Sequence, residues 1–373
     1  MFFGTVAWSF VYVSLPFHIQ AISPWDDAAT LRWTGWILGI SSLVTVATAP
    51  LWGRWAERGD PKAMYVGVEV AQGVAFFGMA LARTLPELFL ARLVLGVMGA
   101  ASTFAFIMAG RSPDAGTVRQ HVARIQSAMT VGQVIGPLAG ALAAARLGFR
   151  TSCVLGGLVL LACAALVRWG VSAPPAIPRA RGQARSARPR EVAAVALIVL
   201  GGNIHVFFLA AVLPSVLPGL GVERGRTLEA AGVLIFVSGV AAALGAVAAP
   251  RLADAAGERT LLVTLLVASS LLVAALAPLG SVWPYGAVRF LQVLCIAPVF
   301  PLVVARIAQH AGGQAIGVIN SARIGAGFLG PVAATALLAW TSPAVLYVAL
   351  AVIGLACVPA VRLRPAVAGR AAP

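Results

Sequence analysis

Charged residues are scarce in this chain: 10% of its 373 residues, against 60% that are hydrophobic. A water-soluble domain averages about 25% charged and 45–50% apolar residues, so composition excludes that class. Enzyme signatures are missing too. No P-loop, zinc-ligand spacing, nucleophile elbow or H-E-x-x-H helix occurs, so neither an enzyme nor a bound metal or cofactor is expected. The four cysteines, Cys153, Cys163, Cys295 and Cys357, stand singly in apolar runs, the pattern of core-packing thiols. The opening MFFGTVAWSF has no basic n-region and no small-residue cleavage site, so it reads as a first span and not as a removable signal.

A net charge of +15 would suit a nucleic-acid partner if the basic residues gathered with aromatics in a polar domain. They punctuate apolar segments instead. With the N-terminus inside, 6 of the 27 Lys and Arg fall in outer loops (Arg32, Arg83, Arg146, Arg150, Arg224, Arg226) and 3 inside spans, leaving 18 in inner loops, helix ends and tail. That asymmetry is the positive-inside rule. The basic excess therefore sets topology, and the partner it implies is the lipid bilayer, not nucleic acid. A multi-pass protein of the cell (inner) membrane with both termini cytoplasmic is expected.

A bilayer crossing needs about 20 apolar residues. Such runs occupy 1–22, 31–52, 64–82, 86–110, 120–145 and 150–172, then 192–217, 228–250, 260–280, 283–306, 312–340 and 342–362. The reading is an all-α membrane protein of twelve transmembrane helices. Its parts are a first bundle (1–172), a cytoplasmic linker (173–190), a second bundle (191–362) and a short tail (363–373). The linker carries Arg179, Arg181, Arg185, Arg188 and Arg190 among prolines, placing them against the anionic cytoplasmic leaflet.

The halves repeat. Leu15-Pro16 matches Leu213-Pro214 at an offset of 198, Glu57 matches Asp254 and Arg92 matches Arg289 at 197, and Gly136-Pro137 matches Gly330-Pro331 at 194. A shared register of four pairs points to two pseudo-symmetric six-helix bundles related by an axis along the membrane normal.

Polar groups inside the spans are few, and each is a candidate. An arginine in hydrocarbon is costly unless paired or facing water; Arg92 and Arg289 read either as functional or as side chains snorkelling to the headgroups. A charged carboxylate at the depth of Glu69 is costly unless an arginine stands opposite, which is what a protonation switch uses; the alternative is pairing to a loop arginine. His205, mid-span, is either a proton carrier or a hydrogen-bonded packing histidine. Trp8 and Tyr12 share a helix face at i, i+4 and line a cavity or pack. Gln133, Asn203, Phe207, Gln292 and Arg323 complete the candidate lining.

Gly132, Gly136 and Gly140 fall at i, i+4, i+8 and strip one helix face for close packing, while Pro137 bends the span. This stretch, Gly132-Gln-Val-Ile-Gly136-Pro137-Leu-Ala-Gly140-Ala141, resembles the G-x-x-x-G-P-x-x-G-G motif of drug:proton antiporters, with Ala141 in place of the last glycine. Pro50–Lys62 (PLWGRWAERGDPK) and its looser copy Pro250–Arg259 resemble the G-x-x-x-D-R-x-G-R/K loop of the major facilitator superfamily. Arg92-Leu-Val-Leu-Gly96 is similar to that family's R-x-x-Q-G motif, with Leu95 replacing glutamine, and Arg289-Phe-Leu-Gln292 keeps the complementary part.

The resemblance spans essentially the whole chain. It implies a monomeric, proton-coupled exporter of hydrophobic or amphipathic small molecules, in which two bundles rock about a midplane cavity. It further implies a cytoplasmic latch of Gly53, Glu57, Arg58, Asp254 and Arg259, and a hinge of Gly132, Gly136, Pro137 and Gly140. Glu69, Arg92 and His205 are the proton-coupling candidates. No acid occurs in span 1, where many relatives carry one. The same fold carrying a specific, anionic metabolite is the alternative, and a transport-dead membrane receptor a more distant one.

Overall fold

The computed structural model describes residues 1–110, 115–171, 189–308 and 313–361. Among them, the first-half crossings are Phe2–Ile22, Asp27–Ala56, Pro61–Leu81, Leu85–Ala109, Gln120–Leu147 and Phe149–Gly170 (spans 1 to 6). The second half supplies Pro189–Leu220, Arg224–Ala255, Val282–Val304, Gly317–Leu338 and Pro343–Val361 (spans 7, 8, 10, 11 and 12). Span 9, Glu258–Ala274, has 17 residues, the short limit for a crossing. The twelve-span reading holds. Most of the linker and all of the tail lie outside the described residues.

Local chemistry sets where the spans begin. The Asp26 carboxylate accepts from Ala29 N at 2.6 Å, and Asp60 accepts from Lys62 N at 2.9 Å with Pro61 as the first helical residue. Thr84 and Glu87 close a capping box at the head of span 4. Four spans are interrupted, by turns at 11–13 in span 1, 98–100 in span 4, 297–298 in span 10 and 357 in span 12. Each break exposes backbone groups that hydrocarbon cannot satisfy, so each must lie against polar protein groups.

One expectation needs correction. The apolar run 31–52 does not end in a loop at residue 52: the helix of span 2 runs Asp27–Arg58, Pro50 included, and only Gly59 and Asp60 separate it from the next helix. At 32 residues it is about 48 Å long, more than the roughly 30 Å hydrocarbon core, so its charged end projects where water solvates it. Likewise the helix of span 8, Thr227–Ala256, meets the next across Gly257 alone, at φ 77°. Only glycine adopts that angle cheaply.

The packing obeys the repeat. Within the halves, span 1 lies on span 5 and span 7 on span 11, span 3 on span 6 and span 9 on span 12, span 2 on span 4 and span 8 on span 10. Between the halves, span 2 meets span 11 and span 5 meets span 8. Exchanging the halves, span 2 for span 8 and span 11 for span 5, turns one contact into the other.

These inter-bundle contacts are one-sided. On the side of the loop between spans 1 and 2, the core clusters mix residues of both halves: Val13 and Ala141 pack with Phe208, Leu213 and Leu234, and Ala211 packs among first-half residues. Here Trp36 meets Phe328 edge-on at 5.4 Å and Arg32 lies over Trp340 at 5.5 Å. On the opposite side, where spans 2 and 3 join, the clusters around Phe104 and around Leu262 each draw on one half only. Among the described residues the bundles are closed at one end and parted at the other.

The glycine stripe is the tightest seam. A Cβ on Gly132 would sit 2.9 Å from Phe2 O, one on Gly136 2.7 Å from Ser9 Cβ, and one on Gly140 would overlap the Phe10 carbonyl beside the span 1 break. The partner seam is looser, with Gly330 at 3.3 Å from Phe207 Cβ. Gly140→Ala is expected to cost about 1–3 kcal/mol through overpacking, read as a lower unfolding temperature in detergent. Gly53→Ala, with nothing within 4 Å, should stay level or gain up to about 1 kcal/mol from helix propensity; equal losses at both sites would contradict this packing.

Candidate functional site

Two buried arginines mark the centre of the molecule. Arg92, 4% exposed, donates through Nε to Ile37 O at 3.2 Å and through Nη2 to Leu38 O at 3.0 Å, both on span 2. Arg289, 1% exposed, donates through Nη1 to His205 O at 2.7 Å and to Gln292 Oε1, and through Nη2 to Val206 O at 3.1 Å. Neither has an acidic partner among the described residues. Ring faces take that place: Arg92 lies 5.9 Å over Trp8 and Arg289 5.2 Å over Phe208, attractions worth about 2 kcal/mol or more when desolvated. Both residues sit away from span ends, with their charge turned inward to backbone and not outward to headgroups.

Tyr12 lies between them, within electrostatic reach of both. Its hydroxyl crosses the bundle interface to donate to Phe207 O at 3.3 Å. Trp8, one turn earlier, donates through Nε1 to Gln72 Oε1 at 2.9 Å, and Gln72 Nε2 in turn donates to Met98 O in the break of span 4. Further donors serve the same break region: Thr45 Oγ1 to Gly96 O at 2.9 Å and Trp52 Nε1 to Val97 O at 2.7 Å.

Glu69 is 2% exposed, on span 3, with Oε2 unpartnered. A Cβ on Gly4 of span 1 would lie 3.1 Å from its Oε1, so glycine there is what admits the carboxylate. Of the described acidic residues it alone is buried. His205 is fully buried, with Nε2 2.7 Å from Leu350 O and Nδ1 3.3 Å from Ser269 Oγ. Leu350 O requires a proton on Nε2, leaving Nδ1 to accept; both nitrogens are spent in packing spans 7, 9 and 12 together. Gln292 joins that cluster by donating to Ser269 Oγ at 2.8 Å.

Gln133 is exposed on the face of its helix opposite the exposed Val131, Ile135 and Leu142. On span 11 Asn320 is exposed opposite Val318 and Leu329, with Arg323 half-buried one turn on. Arg323 Nε and Nη2 donate to Asn320 Oδ1 at 3.3 and 3.2 Å, and its guanidinium lies 5.6 Å over Phe300. Asn203 is occupied by its own helix, donating to Val199 O at 2.8 Å. Arg92, Tyr12, Phe207, Arg289 and Gln292 are thus brought together; Glu69 stands apart from them, beside Gly4 and Tyr65.

The loop residues stand apart. Gly53 has open space around it, and Asp254 and Arg259 are exposed without an ion partner among the described residues. The side chains of Glu57 and Arg58 lie outside the described residues. Two surface hollows of about 410 and 360 Å³ open outward beside span 4 with nearly apolar walls, Val74, Leu81 and Leu90 in one and Trp33, Trp36 and Phe89 in the other. They suit acyl chains and are not the site. Among the described residues no cluster of His, Cys, Asp or Glu has metal-binding proximity. Sequence reasoning missed Ser269, Phe300 and the Tyr285–Tyr347 hydroxyl pair at 3.0 Å near Arg289; two tyrosines deep in apolar runs were the available signal.

The sequence model of the Major Facilitator Superfamily matches residues 1–212 and again 198–372. The chain belongs to that family. It is 24% identical over 327 residues to "Multidrug resistance protein MdtG" of Citrobacter koseri, covering 86% of this chain and 80% of that one. By shape it is similar to a nucleoside transporter NupG crystal structure (TM-score 0.75, 14% identity, 96% of both chains). It also resembles a bacterial homologue of the lysosomal transporter Spinster in an inward-facing, occupied conformation (TM-score 0.74, 14% identity, 96% and 91%). The protein is a multi-pass membrane transporter of small molecules and not an enzyme. Tyr12→Phe removes one hydrogen bond across the closed end, worth about 0.5–1.5 kcal/mol. It should shift the ratio of the two end states about two- to tenfold, read by thiol accessibility of single cysteines at positions 36 and 328; an unchanged ratio would count against this contact.

Proposed function

We propose that the protein exports hydrophobic or amphipathic small molecules by alternating access, exchanging them for protons. The observation that carries this reading is the one-sidedness of the bundle contacts. A static membrane protein gains nothing from two matched seams closed at one end and parted at the other. On this reading the parted side, which carries the basic linker and both termini, is cytoplasmic, and the form described is open inward. The functional parts are the two halves 1–172 and 191–362, in a monomer of the inner membrane.

The latch is then disengaged in this form, consistent with the empty surroundings of Gly53 and the exposure of Asp254. Closing the cytoplasmic side brings Glu57 and Arg58 toward the second bundle and Asp254 and Arg259 toward the first. Gly132, Gly136, Pro137 and Gly140 form the bearing on which span 1 shifts. The cavity is lined by Trp8, Tyr12, Gln133, Asn203, Phe207 and Arg323, with the buried Arg289 and Gln292 set behind them. Glu69 is the proton carrier: a buried carboxyl with one unpartnered oxygen. His205, whose nitrogens are both engaged, supports the carbonyl that holds Arg289. The relative named for multidrug resistance supports the choice of substrate class.

Purified protein in liposomes under an imposed pH gradient tests the proposal with fluorescent amphipathic dyes. The wild type should accumulate dye against its gradient. Glu69→Gln should lose accumulation at least about tenfold while still passing dye down a gradient. Full accumulation by that variant would remove Glu69 from the mechanism, and no dye flux by the wild type would remove the proposal.

A further inference from the structure

We infer that the cavity takes organic anions, with Arg323 as the group that receives the carboxylate, phosphonate or sulfonate. This rests on the transport reading above and names the substrate class of the same cavity.

The three arginines inside spans, Arg92, Arg289 and Arg323, each stack on an aromatic ring, and none has an acidic partner among the described residues. Arg92 and Arg289 are sealed. Backbone and amide oxygens take N–H groups of both, Arg289 Nε being left without a partner among the described residues, and both side chains are buried. They contribute a fixed positive field from below the cavity floor. No described carboxylate faces that field: Glu69 is buried within its own bundle, and the remaining described acids stand at helix ends or in loops.

Arg323 differs from the other two. It is only half-buried, and both of its hydrogen bonds, from Nε and Nη2, converge on the single oxygen of Asn320. A guanidinium carries five N–H donors, so the edge bearing Nη1 and the second Nη2 hydrogen remains to be used. That edge is a fork matched to two oxygens of one anion. Asn320 fixes one side of the group and Phe300 supports its face. The offset of 194 that aligns the two Gly-Pro pairs places Asn320 against Gln126 and Gly327 against Gln133. The same offset places Arg323 against Met129, so the first half has no cation at the matching position and only one charged docking point results. Phe300 beneath the guanidinium gives the anion's apolar body a ring to lie against, so an aryl or alkyl anion fits better than a small inorganic one.

The test is binding to the purified full chain in nanodiscs of zwitterionic lipid, followed by tryptophan fluorescence. Three probes share a naphthyl body: the carboxylate, its neutral amide and the methylammonium. The carboxylate should bind at least about tenfold tighter than the amide, the low end of what a charge-assisted hydrogen bond contributes, with the ammonium weakest. Arg323→Gln should collapse the carboxylate-to-amide ratio toward one. Arg323→Lys, which keeps the charge but loses the fork, should hold an intermediate ratio. Ammonium binding as tightly as carboxylate, or a ratio untouched in Arg323→Gln, overturns the inference while leaving transport standing. Failure of all three probes to bind overturns the cavity and the transport reading together. If discs containing anionic lipid abolish carboxylate binding, the site belongs to a lipid headgroup and the inference is overturned.

Discussion

A guanidinium inside hydrocarbon must be answered by something, and here the answer is backbone. Arg92 and Arg289 each hold two main-chain carbonyls on a neighbouring span and lie over a ring. Pairing each with a carboxylate would have left two neutral, locked units. Satisfying them with carbonyls leaves their charge uncancelled and their position fixed. Much of the architecture follows from this choice. Trp8 and Phe208 stand where they do as ring faces, Gln292 as an acceptor, and Tyr12 as the group caught between two cations.

The second constraint is steric. Span 1 is broken at 11–13, and the stripe of Gly132, Gly136 and Gly140 lets its backbone lie directly on span 5. Side chains interlock, but a bare glycine face against a main chain has few rotamers to reset, so small sliding motions cost little. In the corresponding seam between spans 7 and 11 a Cβ on Gly330 would lie 3.3 Å from Phe207 Cβ, close but without the overlap met at Gly140. The two halves, alike in topology, therefore differ in mechanics, and the first half carries the smoother bearing. Among the described residues it also carries the one buried carboxyl, Glu69.

How much of this was legible in the sequence depends on the range of the interaction. The spans followed from apolar run length, and the pairing of Arg92 with Arg289 from the repeat, because both signals are local or periodic. The glycine stripe was legible because i, i+4, i+8 is a face whatever it meets. The helical course of Pro50–Arg58 was not, since glycine, proline and charge read as a turn when the overhang of a 32-residue helix beyond the bilayer is unknown. Gly53 was expected in close contact and stands in the open, because contacts at a moving end depend on the state and not on the residue alone. The partners of His205, Ser269 and Leu350, lie 64 and 145 residues away, beyond any local pattern. Its two open readings were therefore separated only by the fold.

The account turns on one claim: the two ends of the seam between spans 2 and 11 open and close in opposition. Paired spin labels measure it directly, one pair at positions 32 and 340 on the closed end and another at 55 and 317 on the parted end, read in the same membrane with and without a proton gradient. The account predicts that the second distance shortens as the first lengthens, in equal populations. Movement of one pair with the other unchanged, or two distances that rise together, would contradict it.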